Sequence, residues 1–246
     1  MSPLIDSAKP VTRAAVRRAR GERDGPGAAV VAASLVRHLP AALALLPAAQ
    51  RPAARREASQ RQGAGDAGPS LVVAAHVSLR GEPGTGLLRQ ELRRLGHEVL
   101  LPVLRTDLDL DWVRDDGSRP RDPLRPEGEL LGPGSVAGCD LVLVPALAVD
   151  ATGTRLGQGG GSYDRALARL GDGDPARRAV AGPLVLALVH DEELLPARSL
   201  RREPHDVGVD GALTPSGLHL LGRAARLDQQ QPSEAEPDGT GTAERS

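Results

Sequence analysis

Five short, largely aliphatic runs constrain this chain more than any other feature: residues 71–77, 98–103, 141–144, 183–189 and 207–213. A strand that shows no regular polar face must be covered on both sides, as in a parallel sheet sandwiched by helices. The segments between the runs supply the covering. Residues 81–86 read as a turn and 87–95 as a helix ended by Gly96; 104–135 form a long polar connection around Trp112. Residues 216–226 read as a last helix. Upstream, residues 10–23 are predicted helical, opened by Pro10, and 28–46 helical with a break at Pro40. Strand alternating with helix predicts an α/β fold, three layers deep, with a mostly parallel central sheet.

Composition bears on what fills that fold. There is no Phe, one Tyr and one Trp, so the core must be built from Leu, Val and Ala. A chain of 246 residues suits one domain, expected at 1–227, with a flexible insertion at about 47–69 and a disordered acidic tail at 228–246. Residues 1–62 hold eleven Lys/Arg against four Asp/Glu, but the net charge is −1, so no nucleic-acid partner is expected. The single Cys139 excludes an internal disulfide and a Cys-based zinc site, and beside an aliphatic run it reads as a buried thiol. The opening MSPLIDSAKP lacks a signal peptide's apolar segment, and no apolar run is expected to reach membrane-helix length. The expectation is a cytoplasmic monomer without a membrane partner.

The stretch 140–170 concentrates the candidate chemistry. An aliphatic strand leads through a loop with Asp150 and Arg155 to Gly157, Gly159, Gly160 and Gly161, and a helical pattern begins at Ser162. A strand, a glycine loop and a helix start direct backbone N–H groups at an anion. No Gly-Lys-Ser/Thr follows, so this is not a P-loop. Nor is it a dinucleotide fingerprint, whose sixth position is here Ser162 or Asp164. A tight strand-to-helix connection is the plain alternative. Asp164 in the first helical turn is also ordinary dipole complementation.

Val144-Pro145-Ala146-Leu147-Ala148-Val149-Asp150, Gly153, Arg155-Leu156-Gly157, Gly159, Gly161 and Tyr163-Asp164-Arg165 resemble the signature of the 5-formyltetrahydrofolate cyclo-ligase (methenyltetrahydrofolate synthetase) family. The resemblance extends outward in order. It takes in Lys9 with Arg13, then Val77-Ser78 with Glu82 and Thr85, then Pro204-His205-Asp206, Val209-Asp210 and Leu213-Thr214. It implies the fold shared with sugar-phosphate isomerases and CoA-transferases. It also implies an ATP- and Mg²⁺-dependent closure of 5-formyltetrahydrofolate to 5,10-methenyltetrahydrofolate, with release of ADP and phosphate.

The residues carried over are Lys9, Arg13, Arg155, Leu156, Gly157, Gln158, Gly159, Gly160, Gly161, Ser162 and Tyr163 for ATP. Leu79, Glu82, Trp112, the same three glycines 159–161 and Tyr163 are implied for the folate, and Asp164 and Asp206 for Mg²⁺. On the residues alone, Lys9 is also a solvated lysine, Asp206 a surface acid, Glu82 a turn-stabilising acid and Trp112 a loop anchor. Three departures stand out: Ser162 where the family has the first of two adjacent aromatics, His76 where an aromatic is common, and Pro10 with Thr12 beside the Lys/Arg pair. Two other readings stay open. One is a non-catalytic folate- or nucleotide-binding regulator that has kept the loop; the other is a sugar-phosphate isomerase-like enzyme of the same fold.

Overall fold

The computed structural model describes residues 13–21, 27–46, 70–170 and 182–222. Lys9, the insertion expected at 47–69 and the tail expected at 228–246 lie outside the described residues.

The helices are α1 (Arg13–Gly21), α2 (Gly27–Ala44), α3 (Gly86–Arg94) and α4 (Ser162–Ala168). The strands are β1 (Val72–Ala74), β2 (Glu98–Leu104), β3 (Leu110–Arg114), β4 (Leu141–Pro145), β5 (Ala148–Asp150), β6 (Arg155–Leu156), β7 (Leu184–Leu188), β8 (Leu194–Leu195), β9 (Gly211–Thr214) and β10 (Gly217–Leu220). Seven of them form one sheet in the order β10-β9-β7-β4-β1-β2-β3. Its five inner strands run parallel, and β3 and β10 close the edges antiparallel. A small second sheet, β6-β5-β8, stands beside it.

Alternate residues of each strand feed opposite cores. Val73, Val99, Leu101, Leu141, Leu143, Leu186 and Leu188 meet Leu35 and Leu39 of α2 and Leu88 and Leu92 of α3. Val72, Ala74, Leu100, Val142, Val144, Val185 and Ala187 meet Ala166 and Leu167 of α4. The three-layer expectation is therefore met, with a core that is almost wholly aliphatic. Cys139 is buried, as its place beside β4 implied.

Five expectations need correction. Residues 104–135 are not one long connection, because β3 pairs with β2 and seats Trp112 opposite Pro102. Trp112, expected against substrate, is 1% exposed and packs in the α4-side core, so its indole is a structural anchor. Residues 217–220 form a hairpin strand with β9 instead of a helix, since Pro215-Ser216-Gly217 turns the chain back and Thr214 Oγ1 accepts from the Ser216 N–H. Pro40 does not break α2: it lies on the exposed face, where water can take the carbonyl that its missing N–H leaves free.

At 18 residues and a mean hydropathy of 1.5, α2 is also long and apolar enough to meet a membrane-span criterion, contrary to expectation. Here its Leu35, Leu39 and Ala42 are buried against the sheet and α3.

Truncating the core indole removes its packing without touching the cleft. Trp112→Ala is expected to cost about 3–5 kcal/mol of stability in urea unfolding, and a loss below about 1 kcal/mol would contradict the anchoring role.

Candidate active site

The strand ends position the site. At the C-terminal ends of β1 and β4 the chain leaves the sheet through residues 76–82 and through Ala146, and both segments line a cleft of about 740 Å³. Parallel α/β sheets bind ligands at this end. The 76–85 loop is tied into a fixed shape: Thr85 Oγ1 donates to His76 O at 2.6 Å and accepts from Ser78 N–H at 3.1 Å. Within it, Leu79 N–H donates to Glu82 Oε2 at 2.9 Å, which presents the Glu82 carboxylate, 6% exposed, to the cleft.

The glycine loop is braced by a buried acid. Asp150, fully buried, accepts from Thr152 N–H, Thr152 Oγ1, Thr154 N–H and Leu200 N–H. Gly153 has φ +82°, and a Cβ there would lie 2.5 Å from Val209 O. Only glycine lets this turn touch the segment that follows Asp206. Arg155, its side chain 4% exposed, then donates from Nη2 to Asp164 Oδ1 at 2.7 Å, while its Nε is buried with no partner among the described residues. Gly161, at φ +68°, turns the loop into α4. That helix has only two turns, so the anion-binding capacity resides in the loop amides of 157–161 more than in a helix dipole.

Helix α1 spans the loop with three arginines at i, i+4 and i+7. Arg13 Nε donates to Gly157 O at 2.9 Å, and Arg17 donates to both the side chain and the carbonyl of Gln158. Arg20 is buried: Nε and Nη2 form a fork on Glu193 at 2.9 and 2.8 Å, Nη2 also reaches Ala146 O, and Nη1 lies 3.7 Å from Glu82. Glu193, fully buried, also accepts from His190 N–H, so its carboxylate is satisfied.

The cleft is also lined by an aliphatic group, Pro102, Leu104, Leu108, Leu110 and Leu124. Leu108 holds φ +63° at the tip of the β2–β3 hairpin, where Arg165 links its carbonyl to that of Gly160. Asp164 accepts from Val207 N–H and Asp206 Oδ2 accepts from Glu203 N–H at 2.7 Å. Tyr163 closes the floor. Its hydroxyl is buried without a partner among the described residues, and burial, reinforced by the Glu82 charge, pushes its phenol above the ordinary range.

Of the residues singled out from sequence, Arg13, Leu79, Glu82, Arg155, Leu156, Gly157, Gln158, Gly159, Gly160, Gly161, Ser162, Tyr163, Asp164 and Asp206 line this one cleft. Trp112 does not, being enclosed in the core. Arg17, Arg20, Glu193 and the aliphatic wall were not singled out as site residues. The three-arginine stripe on α1 was the available signal. Among the described residues no group of three or more His, Cys, Asp or Glu is arranged to hold a metal. Asp164 and Asp206 offer two carboxylates. A hard divalent cation takes such a pair when phosphate and water complete its shell.

A sequence model of the 5-formyltetrahydrofolate cyclo-ligase family matches residues 28–215. The 5-formyltetrahydrofolate cyclo-ligase of Mycolicibacterium smegmatis is 39% identical over 155 residues, which is 58% of this chain and 73% of that protein. The mitochondrial 5-formyltetrahydrofolate cyclo-ligase of Arabidopsis thaliana is 40% identical over 79 residues, 32% of this chain and 28% of that one. Two solved structures are similar in fold. The NMR structure of Aquifex aeolicus 5,10-methenyltetrahydrofolate synthetase has a TM-score of 0.58 at 21% identity, over 93% of this chain and 97% of that one. The Mycoplasma pneumoniae 5,10-methenyltetrahydrofolate synthetase gives 0.55 at 14% identity, over 80% and 93%.

The Arg20–Glu193 pair makes a stability prediction. Arg20→Met alone strands a buried carboxylate and is expected to cost about 3–5 kcal/mol. Arg20→Met with Glu193→Leu should recover most of that loss in chemical denaturation, and equal losses in the single and double variants would contradict the pairing.

Proposed function

The chain belongs to the 5-formyltetrahydrofolate cyclo-ligase family, and from that premise we propose that its cleft carries out the family's ATP-dependent conversion of 5-formyltetrahydrofolate to 5,10-methenyltetrahydrofolate. The observation that carries the reading is convergence. Signature residues from four distant parts of the chain, Arg13, Glu82, the 155–164 loop and Asp206, line one cleft.

The chemistry requires two neighbouring subsites. A formamide oxygen is a poor leaving group, so ring closure needs it activated. In the proposed route the γ-phosphoryl of ATP transfers to that oxygen, N10 attacks the formyl carbon, and the oxygen departs within phosphate. Phosphoryl transfer is mostly a matter of position and charge neutralisation. The loop amides of 157–161, with Arg13 and Arg155, supply donors and positive charge for the phosphates. Glu82 accepts from the donor edge of the pterin, and the unpartnered Tyr163 hydroxyl gains a partner when ligand fills the floor. The wall of Leu104, Leu108 and Leu124 offers apolar surface to the folate's aromatic middle.

Asp164 and Asp206 would hold Mg²⁺ with the phosphates, and the ion would neutralise their charge. The backbone bonds fall on Oδ1 of Asp164 and Oδ2 of Asp206, which leaves Asp164 Oδ2 and the Asp206 Oδ1 that faces the exposed His205 ring at 3.7 Å. We place the protein in the cytoplasm, which agrees with the bacterial relative and with α2 packed on the sheet.

Mixing pure protein with 5-formyltetrahydrofolate, ATP and Mg²⁺ is expected to generate the near-ultraviolet absorbance of the methenyl product. Folded protein that binds both ligands but produces none would favour the non-catalytic regulator. Asp164→Asn and Asp206→Asn should each lower turnover by about 100-fold or more with unchanged circular dichroism. Wild-type rates in either would overturn the metal assignment.

A further inference from the structure

The floor of the cleft holds a polar group to which nothing so far gives a task. His76 lines the cleft beside Glu82, yet the residue is only 4% exposed. Its Nδ1 faces Leu143 O at 3.4 Å. A carbonyl oxygen can only accept, so Nδ1 carries the hydrogen and Nε2 keeps a lone pair. Nε2 lies 3.8 Å from Glu82 Oε2. Two acceptors thus face one another at a distance too long for a bond, and a donor between them would satisfy both. The nearby Tyr163 hydroxyl is buried and unpartnered among the described residues. A buried hydroxyl without a partner is costly, and here it lies near two acceptors with spare lone pairs, His76 Nε2 and Glu82 Oε2 (which also takes the Leu79 N–H), so this floor is where a polar ligand edge belongs.

Burial keeps the imidazole neutral. Burial lowers the His76 pKa most strongly. Glu82 and the Leu143 carbonyl oppose that, and Arg89 from α3 and Arg20 from α1 add to it. At neutral pH the ring is therefore an acceptor at Nε2. In acid it protonates and can bond Glu82 directly, which closes the gap a ligand would enter.

We propose that His76 is a ring-reading residue of the floor, where its Nε2 accepts from an N–H edge of the bound ligand beside the Glu82 carboxylate. The occupant is a heterocycle with adjacent N–H donors, which the 2-amino-4-oxo ring of a pterin provides. This inference rests on the folate reading given above. It adds that the imidazole selects for the donor edge and makes folate affinity fall in acid. An aromatic hydrocarbon at the same position would stack without discriminating donors.

The test is calorimetric titration of 5-formyltetrahydrofolate, without ATP, into wild type, His76→Phe and His76→Gln from about pH 8 down to about pH 4.5, reaching below the ordinary imidazole range because burial lowers this pKa. At neutral pH His76→Phe should bind about tenfold more weakly, the size of one lost hydrogen bond. His76→Gln should recover most of the loss through its amide oxygen, and it carries the test if the phenyl variant fails to fold. Affinity for ATP should be unchanged in both. Wild-type affinity should decline toward the acid end, while the His76→Phe profile stays flat relative to it. Equal folate affinity in wild type and His76→Phe, or parallel pH profiles, would overturn the role of His76. Wild-type protein that binds no folate at all would overturn the functional reading beneath it.

Discussion

The buried fork between Arg20 and Glu193 is the interaction on which the cleft depends. The two residues lie 173 positions apart, one on the N-terminal helix and one just beyond β7. Few apolar contacts hold α1 to the body: Val16 and Leu147 are fully enclosed, with Ala19 and Leu156 packed around them. The fork therefore sets where α1 sits, and through it where Arg13 and Arg17 meet the glycine loop. Because Arg20 also touches the Ala146 carbonyl and approaches Glu82, one guanidinium ties together the helix, the end of β4 and the cleft floor. A buried ion pair is seldom worth much against a hydrophobic substitute, but it fixes geometry well.

The cleft that results combines different chemistries. Its loop amides and arginines suit phosphate, its aliphatic side chains suit an aromatic ring system, and its buried acceptors suit N–H donors. Arg165 joins the first two by holding the Gly160 and Leu108 carbonyls together. The unusual backbone of Leu108 sits at this junction, where strain is commonly tolerated for function.

Much of this was legible in the sequence. The aliphatic runs of β4 and β7 could only be covered strands, and the glycines between Arg155 and Ser162 could only form a tight loop. Short edge strands were another matter. LDWVR and GLHL carry no decisive pattern, and pairing with β2 and β9 decides their state. Trp112 was ambiguous because an aromatic in a polar stretch suits a pocket or a core equally; only its place on β3 resolves the choice. Pro40 obeyed a rule whose exception depends on which face meets water. Arg20 was not singled out, since its partner is remote in sequence and no local pattern announces a buried pair. Arg13, Glu82, Asp164 and Asp206 were legible as candidates through motif resemblance, not through spacing.

The central claim is that the cleft joins a phosphate subsite to a folate subsite, so that the formyl oxygen leaves as phosphate. Turnover of 5-formyltetrahydrofolate labelled with ¹⁸O in the formyl group tests it most directly. Mass spectrometry of the products should find the label in inorganic phosphate, with one ADP formed per methenyl product. Label released to water, or methenyl product formed without ADP, would contradict the account.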